Sequence, residues 1–157
     1  MNKLNFPSYT FRLKKSGNRT LIFDQLRRKY VSLFPEELVR QNMVEFLIRE
    51  RNFPSSLMAN EVEIVFGEMR RRCDTVVYDS SLRPILIIEY KAPTVEITRQ
   101  TFDQIAVYNT KLNVRFLLIS NGLTHCFCVV DQEKNQLSFL RDIPRYEDLF
   151  LDTKKEV

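Results

Sequence analysis

At 157 residues, with 44% hydrophobic and 28% charged residues and only three glycines and six prolines, the chain can bury one core and is neither disordered nor of low complexity. Its formal charge of +4 and pI near 9.0 are compatible with a polyanionic partner, although 20 acidic residues offset the 24 basic ones. Residues 1–11 hold no continuous apolar run, and no segment approaches the roughly 18 apolar residues of a membrane span, so a cytoplasmic protein without a membrane partner is expected.

Along the chain, residues 10–13 and 20–23 flank the polar segment 14–18 and read as a short hairpin or extended arm within about residues 8–31. Ser32 offers a helix cap, Pro35 falls in the first turn beside Glu36 and Glu37, and Leu38, Met43, Val44, Phe46 and Leu47 follow at helical spacing. This predicts a helix from about Pro35 to Arg51 that ends before Pro54. From Glu61 the period changes to two, with Val62, Ile64 and Phe66 alternating with polar residues up to Gly67. Residues 72–78 and 84–90 are β-branched runs on either side of Asp79-Ser80-Ser81 and should pair as an antiparallel hairpin. Both faces of these runs are apolar, which makes them central strands.

Residues 97–112 read as a second helix with Phe102, Ile105, Ala106 and Leu112 turned inward. Residues 114–119, 126–130 and 136–140 are further strands, separated by the Ser120-Asn121-Gly122 turn and the polar turn 131–135, and 153–157 read as a frayed tail. Strands leading into a helix and then a parallel strand imply a right-handed crossover, so the expected fold class is α/β, one domain over residues 1–157 built on a central mixed sheet flanked by helices.

Cys73, Cys126 and Cys128 are an odd set in a chain without a secretion signal, which points to reduced thiols buried in strands. His125 lies beside two of them, but a zinc site needs four converging ligands and no second pair exists elsewhere in the sequence. Nothing at recognisable spacing gives His125 a nucleophile or an orienting carboxylate.

A turn centred near Ser81 and Leu82 makes positions whose numbers sum to 163 face each other, which sets Asp74 opposite Glu89 and Val76 opposite Ile87. Strand alternation adds Lys91 to the same face. Two carboxylates about 5 Å apart at an effective dielectric near 20 repel by roughly 3 kcal/mol, a conflict that a divalent cation removes. Mg²⁺ suits such a pair because it takes oxygen ligands, keeps several waters and is completed by substrate phosphate. Lys91 could then hold a water or stabilise developing charge. The alternative is a structural ion pair of Glu89 with Lys91, with Asp74 at an exposed strand end. In the second helix Gln104 and Tyr108 stand four apart and project from one face, and both side chains can reach a phosphate. The Arg70-Arg71-Arg72 run is a candidate nucleic-acid contact or a charged strand entry.

With Asp74, the E-x-K of Glu89-Tyr90-Lys91 and the Q-x-x-x-Y of Gln104 and Tyr108, the chain resembles the PD-(D/E)XK nuclease superfamily, and more narrowly the type I restriction enzyme R subunit N-terminal domain in stand-alone form. The order and spacing of further segments carry the likeness: Ile22-Phe23-Asp24 with Arg27, Pro35-Glu36-Glu37 with Val39-Arg40-Gln41, Glu61, and Ser120-Asn121-Gly122. The resemblance implies a restriction-endonuclease-like core and a metal-dependent DNA endonuclease using Mg²⁺ or Mn²⁺. In it Asp74 and Glu89 match the metal ligands, Lys91 the catalytic lysine, Gln104 and Tyr108 an accessory motif, and Glu37, in preference to Glu45, the acidic residue of the first helix. Cys73 stands where proline is often written, at a variable position. The R subunit of that family carries a DNA-translocating motor, whereas 157 residues leave no room for one and hold no P-loop pattern. The domain is therefore expected to act alone, to assemble with other subunits of a restriction or DNA-processing complex, or to persist as a catalytically silent nucleic-acid or protein interaction module.

Overall fold

A computed structural model describes residues 3–134 and 136–151, with the side chains of 64, 66, 69 and 107–112 not among those described. The tail expected at 153–157 and the inward-facing Leu112 side chain lie outside what is described. Among the described residues nine strands and two helices follow one another as β1 (Leu13–Ser16), β2 (Arg19–Asp24), β3 (Lys29–Ser32), α1 (Pro35–Arg51), β4 (Met58–Phe66), β5 (Met69–Tyr78), β6 (Pro84–Tyr90), α2 (Arg99–Leu112), β7 (Phe116–Ser120), β8 (His125–Asp131) and β9 (Gln136–Leu140). Short 3₁₀ turns occupy Ser55–Leu57 and Tyr146–Phe150. The sheets are a three-stranded β1-β2-β3 and a six-stranded β4-β5-β6-β7-β8-β9 in which only β6 and β7 are parallel, joined through α2. The expected mixed sheet of an α/β domain is thus the observed one.

Each face of the large sheet carries its own core. On one side α1, through Val39, Met43, Val44 and Leu47, packs on Val77, Leu86, Ile88, Tyr90 and Leu118. On the other, Phe102 and Ile105 of α2 pack on Val76, Ile87, Leu117, Ile119 and Cys128. The β7 strand, Phe-Leu-Leu-Ile-Ser, is buried throughout, as a central strand covered on both faces must be.

α1 has the expected bounds, but its cap differs from expectation. Phe34 is the N-cap and makes no side-chain capping bond, while Ser32 is paired with Leu21 as the last residue of β3. Pro35 at the first helical position and the acidic Glu36 and Glu37 in the first turn start the helix without a hydroxyl cap. The N-terminal arm is also more ordered than a single hairpin. Its turn is only Gly17-Asn18, with Gly17 at φ 61°, so β1 lies three residues later than expected, and residues 29–32 add a third strand.

A buried polar network ties the small sheet to the large one. The fully buried Asp24 accepts hydrogen bonds from the backbone N–H groups of Leu26 (2.8 Å) and Arg27 (3.0 Å), from the Asn60 amide (2.9 Å) and from the Arg27 guanidinium. Burial alone would raise its pKa, but these donors together hold it below the ordinary value. Asn60 Oδ1 in turn accepts from Thr75 Oγ1 at 2.6 Å, which leaves the Tyr90 hydroxyl to donate to Thr75 at 2.9 Å. Thr75→Val would strand Asn60 Oδ1 and the Tyr90 hydroxyl in a site closed to water. Urea unfolding should record a loss of about 1–3 kcal/mol, although the substitution preserves shape.

Candidate functional site

The β5–β6 hairpin turns where expected. Asp79 Oδ1 accepts the N–H groups of Ser81 and Arg83, each at 2.9 Å, and Leu82 adopts φ 60°. The ladder pairs Val77 with Leu86, Val76 with Ile87 and Thr75 with Ile88, and a bulge at Tyr78 absorbs the turn. It ends at Thr75 and Ile88. One residue further Asp74 Oδ2, rather than a main-chain carbonyl, accepts the N–H of Tyr90 at 2.9 Å. On the other edge of the same strand end, Lys91 N–H donates to the carbonyl of Ser120 at 2.9 Å. Glu89-Tyr90-Lys91 is therefore held extended between β5 and β7. Tyr90 packs in the α1-side core, and alternation turns Glu89 and Lys91 with Ile87 toward the α2 side.

The Asp74 and Glu89 carboxyls lie within hydrogen-bonding reach of each other, which favours a proton on Glu89 when no cation lies between them. Burial, then the charge of Asp74 and the contact with it, push the Glu89 pKa up to about 9, while Lys91 and Arg40 pull the other way without prevailing. Glu89 Oε1 is buried and has no hydrogen-bond partner among the described residues. Cys73, next in the strand, is pushed to about 12 by burial and then by the charges of Glu89 and Asp74, which rules it out as a thiolate nucleophile at neutral pH.

Behind this pair stands Arg40, which sequence reasoning noted only as part of a resemblance. It donates from Nη2 to Glu61 Oε1 at 2.6 Å, has Nη1 at 3.5 Å from the carbonyl of Asp74, and lies 5.7 Å from the Tyr90 ring centre. Glu37 holds Arg40 from below, with Oε2 3.5 Å from its Nε, and its Oε1 accepts from Arg27 (2.7 Å) and Gln41 (2.9 Å). Both oxygens of Glu37 are thereby occupied by cations or an amide, so Glu37 buttresses the carboxylate pair through Arg40. The i, i+3 spacing of Glu37 and Arg40 was the available signal.

The remaining candidates are more dispersed. Gln104 is exposed on α2, and the Tyr108 side chain lies outside those described. Arg70, Arg71 and Arg72 are exposed at the start of β5, where Arg70 lies 3.8 Å from Glu63 and Arg72 3.6 Å from Glu61. All three cysteines are free. His125 pairs through Nδ1 with Ser120 Oγ (2.7 Å) and through Nε2 with the carbonyl of Asn5 (2.9 Å). Burial lowers its pKa against the raising effect of that carbonyl, so the neutral ring donates to Asn5 and accepts from Ser120.

Among the described residues no three His, Cys, Asp or Glu side chains converge as a metal cage. The donor set at the strand end is two carboxylates, one with an unpartnered buried oxygen. That chemistry fits a hard divalent ion that takes one or two carboxylates and completes its shell from water and phosphate. A cation there would displace a proton from Glu89 and satisfy its Oε1.

Fold and site together define a mixed α/β domain with two carboxylates and a lysine at the end of a central strand. The chain belongs to the type I restriction enzyme R protein N-terminus family, whose model matches residues 35–144. The match takes in α1 and all of the large sheet, and it leaves out β1, β2 and β3. Membership points to a role in a restriction system. No curated protein matches the chain. No helix among the described residues is long and apolar enough to cross a membrane.

The raised pKa of Glu89 has a definite sign in stability. The folded protein keeps a proton that the unfolded chain has lost, so this contribution is complete below the ordinary glutamate pKa and disappears as pH rises toward about 9. In EDTA, Glu89→Gln should melt with the parent near pH 5 and progressively above it from there to about pH 9. Parallel melting curves across that range would show that Glu89 is ordinarily ionised.

Proposed function

We propose that this domain is a Mg²⁺-dependent DNA endonuclease, able to use Mn²⁺, that hydrolyses phosphodiester bonds as part of a restriction system. The observation that carries the proposal is the close approach of the Asp74 and Glu89 carboxyls, with an unpartnered Glu89 oxygen, beside Lys91. The likeness of Asp74, Glu89-x-Lys91 and Gln104-x-x-x-Tyr108 to the PD-(D/E)XK motif supports the same reading. Asp74 and Glu89 would hold the ion. When bound, it supplies charge neutralisation at the phosphate and acidification of water.

The chain's own residues do the rest. Asp74 remains fixed by the Tyr90 N–H, so its second oxygen is oriented before any ligand arrives. Glu89 must give up its proton, which Lys91 and Arg40 favour electrostatically. The Lys91 ammonium orients the attacking water or stabilises charge gathering on the phosphate. Gln104 offers an amide to the phosphate from the exposed side of α2, with Tyr108 one helical turn further on. Other subunits of a restriction complex would supply translocation.

Plasmid nicking in Mg²⁺ or Mn²⁺, absent in EDTA, should fall by about 100-fold or more in Asp74→Asn, Glu89→Gln and Lys91→Ala. Asp74→Asn removes the charge that helps force a proton onto Glu89, and its amide oxygen can still accept the Tyr90 N–H. It should therefore melt in EDTA at or slightly above the parent, while the parent alone gains stability from Mg²⁺. Clear destabilisation of Asp74→Asn in EDTA, together with no Mg²⁺-dependent shift in the parent, would instead identify a binding module that keeps the fold without turnover.

A further inference from the structure

The chain's positive charge is segregated. Residues 12–29 hold seven of the 24 lysines and arginines (Arg12, Lys14, Lys15, Arg19, Arg27, Arg28 and Lys29) against one of the 20 carboxylates, Asp24, a net +6 that leaves the rest of the chain at −2. Asp24 is fully buried and Arg27 is engaged with it and with Glu37. The other six cations are exposed, and none forms an ion pair among the described residues.

Strand register places three of these cations together. Leu13, Ile22 and Val31 are opposite one another on the face that carries the buried Ile22. The opposite face therefore presents Lys14, Arg19, Phe23 and Tyr30, with Arg12 joining through its carbonyl's bond to the Phe23 N–H. The Arg12 guanidinium lies 3.8 Å from the Phe23 ring centre and the Lys14 ammonium 4.1 Å from that of Tyr30, and the two rings meet edge to face at 5.3 Å. The aromatic pair thus props two cations in fixed positions on an exposed sheet face, while alternation turns Lys15 and Lys29 to the other face and Arg28 lies in the β2–β3 turn. Cations ordered in advance and, among the described residues, without carboxylate partners suit a ligand that brings regularly spaced negative charge.

We propose that the outer face of the β1-β2-β3 sheet is a sequence-independent docking surface for the phosphate backbone of duplex DNA, with Arg12, Lys14 and Arg19 as its contacts. The choice of DNA rests on the nuclease reading above, and the surface lies outside the region matched by the family model. Its position favours a shared substrate. The β2–β3 turn is fastened by Arg27 to Glu37 and by Asp24 to Asn60, and Glu37 and Asn60 lead through Arg40 and Thr75 to the strands bearing Asp74 and Glu89.

Binding of a fluorescent DNA duplex, measured in EDTA across a salt series, tests this without requiring hydrolysis. A failure of nicking with normal binding would count against the nuclease reading alone. The slope of log K against log salt should fall by about one for each of Arg12→Gln, Lys14→Gln and Arg19→Gln, and by about 2 to 3 in the triple variant. Lys134→Gln combined with Arg141→Gln should leave the slope unchanged. If the triple variant does not fold, Lys14→Gln alone decides. A parental slope and affinity in the folded variants would overturn the proposal, as would binding of phosphatidylserine vesicles by the parent without binding of duplex.

Discussion

The contact on which the site depends is the hydrogen bond from the Tyr90 N–H to the Asp74 carboxylate. In a continuous antiparallel ladder a main-chain carbonyl would take that N–H. Here the pairing stops at Thr75 and Ile88, and a side chain closes the fork. The substitution satisfies a backbone donor that would otherwise be buried without a partner, and it fixes a carboxylate oxygen relative to β6. Because Lys91 N–H is held on the opposite edge by Ser120, the Glu89-Tyr90-Lys91 segment cannot shift without breaking both bonds. The side chains of Glu89 and Lys91 are therefore placed by strand alternation alone, and the proximity of Glu89 to Asp74 is imposed even though the two carboxyls would repel if both were ionised.

That imposed proximity is supported from the other face of the sheet. Tyr90 points toward α1, where its hydroxyl reaches Thr75 and its ring lies beside Arg40. Arg40 bridges Glu37, Glu61 and the carbonyl of Asp74. Burying a guanidinium is costly, and a buried ion network is often no more stabilising than a hydrophobic replacement of the same volume. Its value here is geometric: three elements, α1, β4 and β5, converge on one planar cation whose hydrogen-bonding directions are rigid. Neutral pH leaves Arg40 fully charged, with the charges of Glu37 and Glu61 outweighing the opposing effect of burial, so the support does not titrate with the pair it holds.

How much of this could be read from sequence varies with how local each cause is. The β5–β6 register was legible because the hairpin is symmetric about Ser81 and Leu82, so a centre alone pairs Val76 with Ile87. α1 was legible from Pro35, the acidic first turn and the apolar spacing. β3 was not, because four residues, Lys-Tyr-Val-Ser, are too short to show a period, and Ser32 imitates a cap by standing near a helix start. The Asp24–Asn60–Thr75–Tyr90 chain was not legible either. Its members are 36, 15 and 15 residues apart, and a polar residue destined for burial carries no local mark of its partner. Arg40 was hidden for the same reason, since its partners Glu61 and Asp74 lie on strands that only the fold brings beneath α1.

The distribution of charge and the chemistry of the site are linked. The chain outside residues 12–29 has a net charge of −2, so the body of the domain offers no general attraction to a polyanion. Surface arginines near the site do little to reverse this, because Arg70 and Arg72 stand beside Glu63 and Glu61. Under the nuclease function proposed above, attraction to substrate would come from a separate surface, and neutralisation at the site from Lys91, Arg40 and a bound divalent ion. Separating the two has a physical advantage. Cations gathered around the pair would stabilise both carboxylates in ionised form and compete with a metal for them, whereas cations on the separate β1-β2-β3 sheet would raise the local concentration of a polyanionic substrate without doing so. A proton on Glu89 thus spares the pair mutual repulsion, and cations on the separate sheet would let a phosphodiester approach without altering that state.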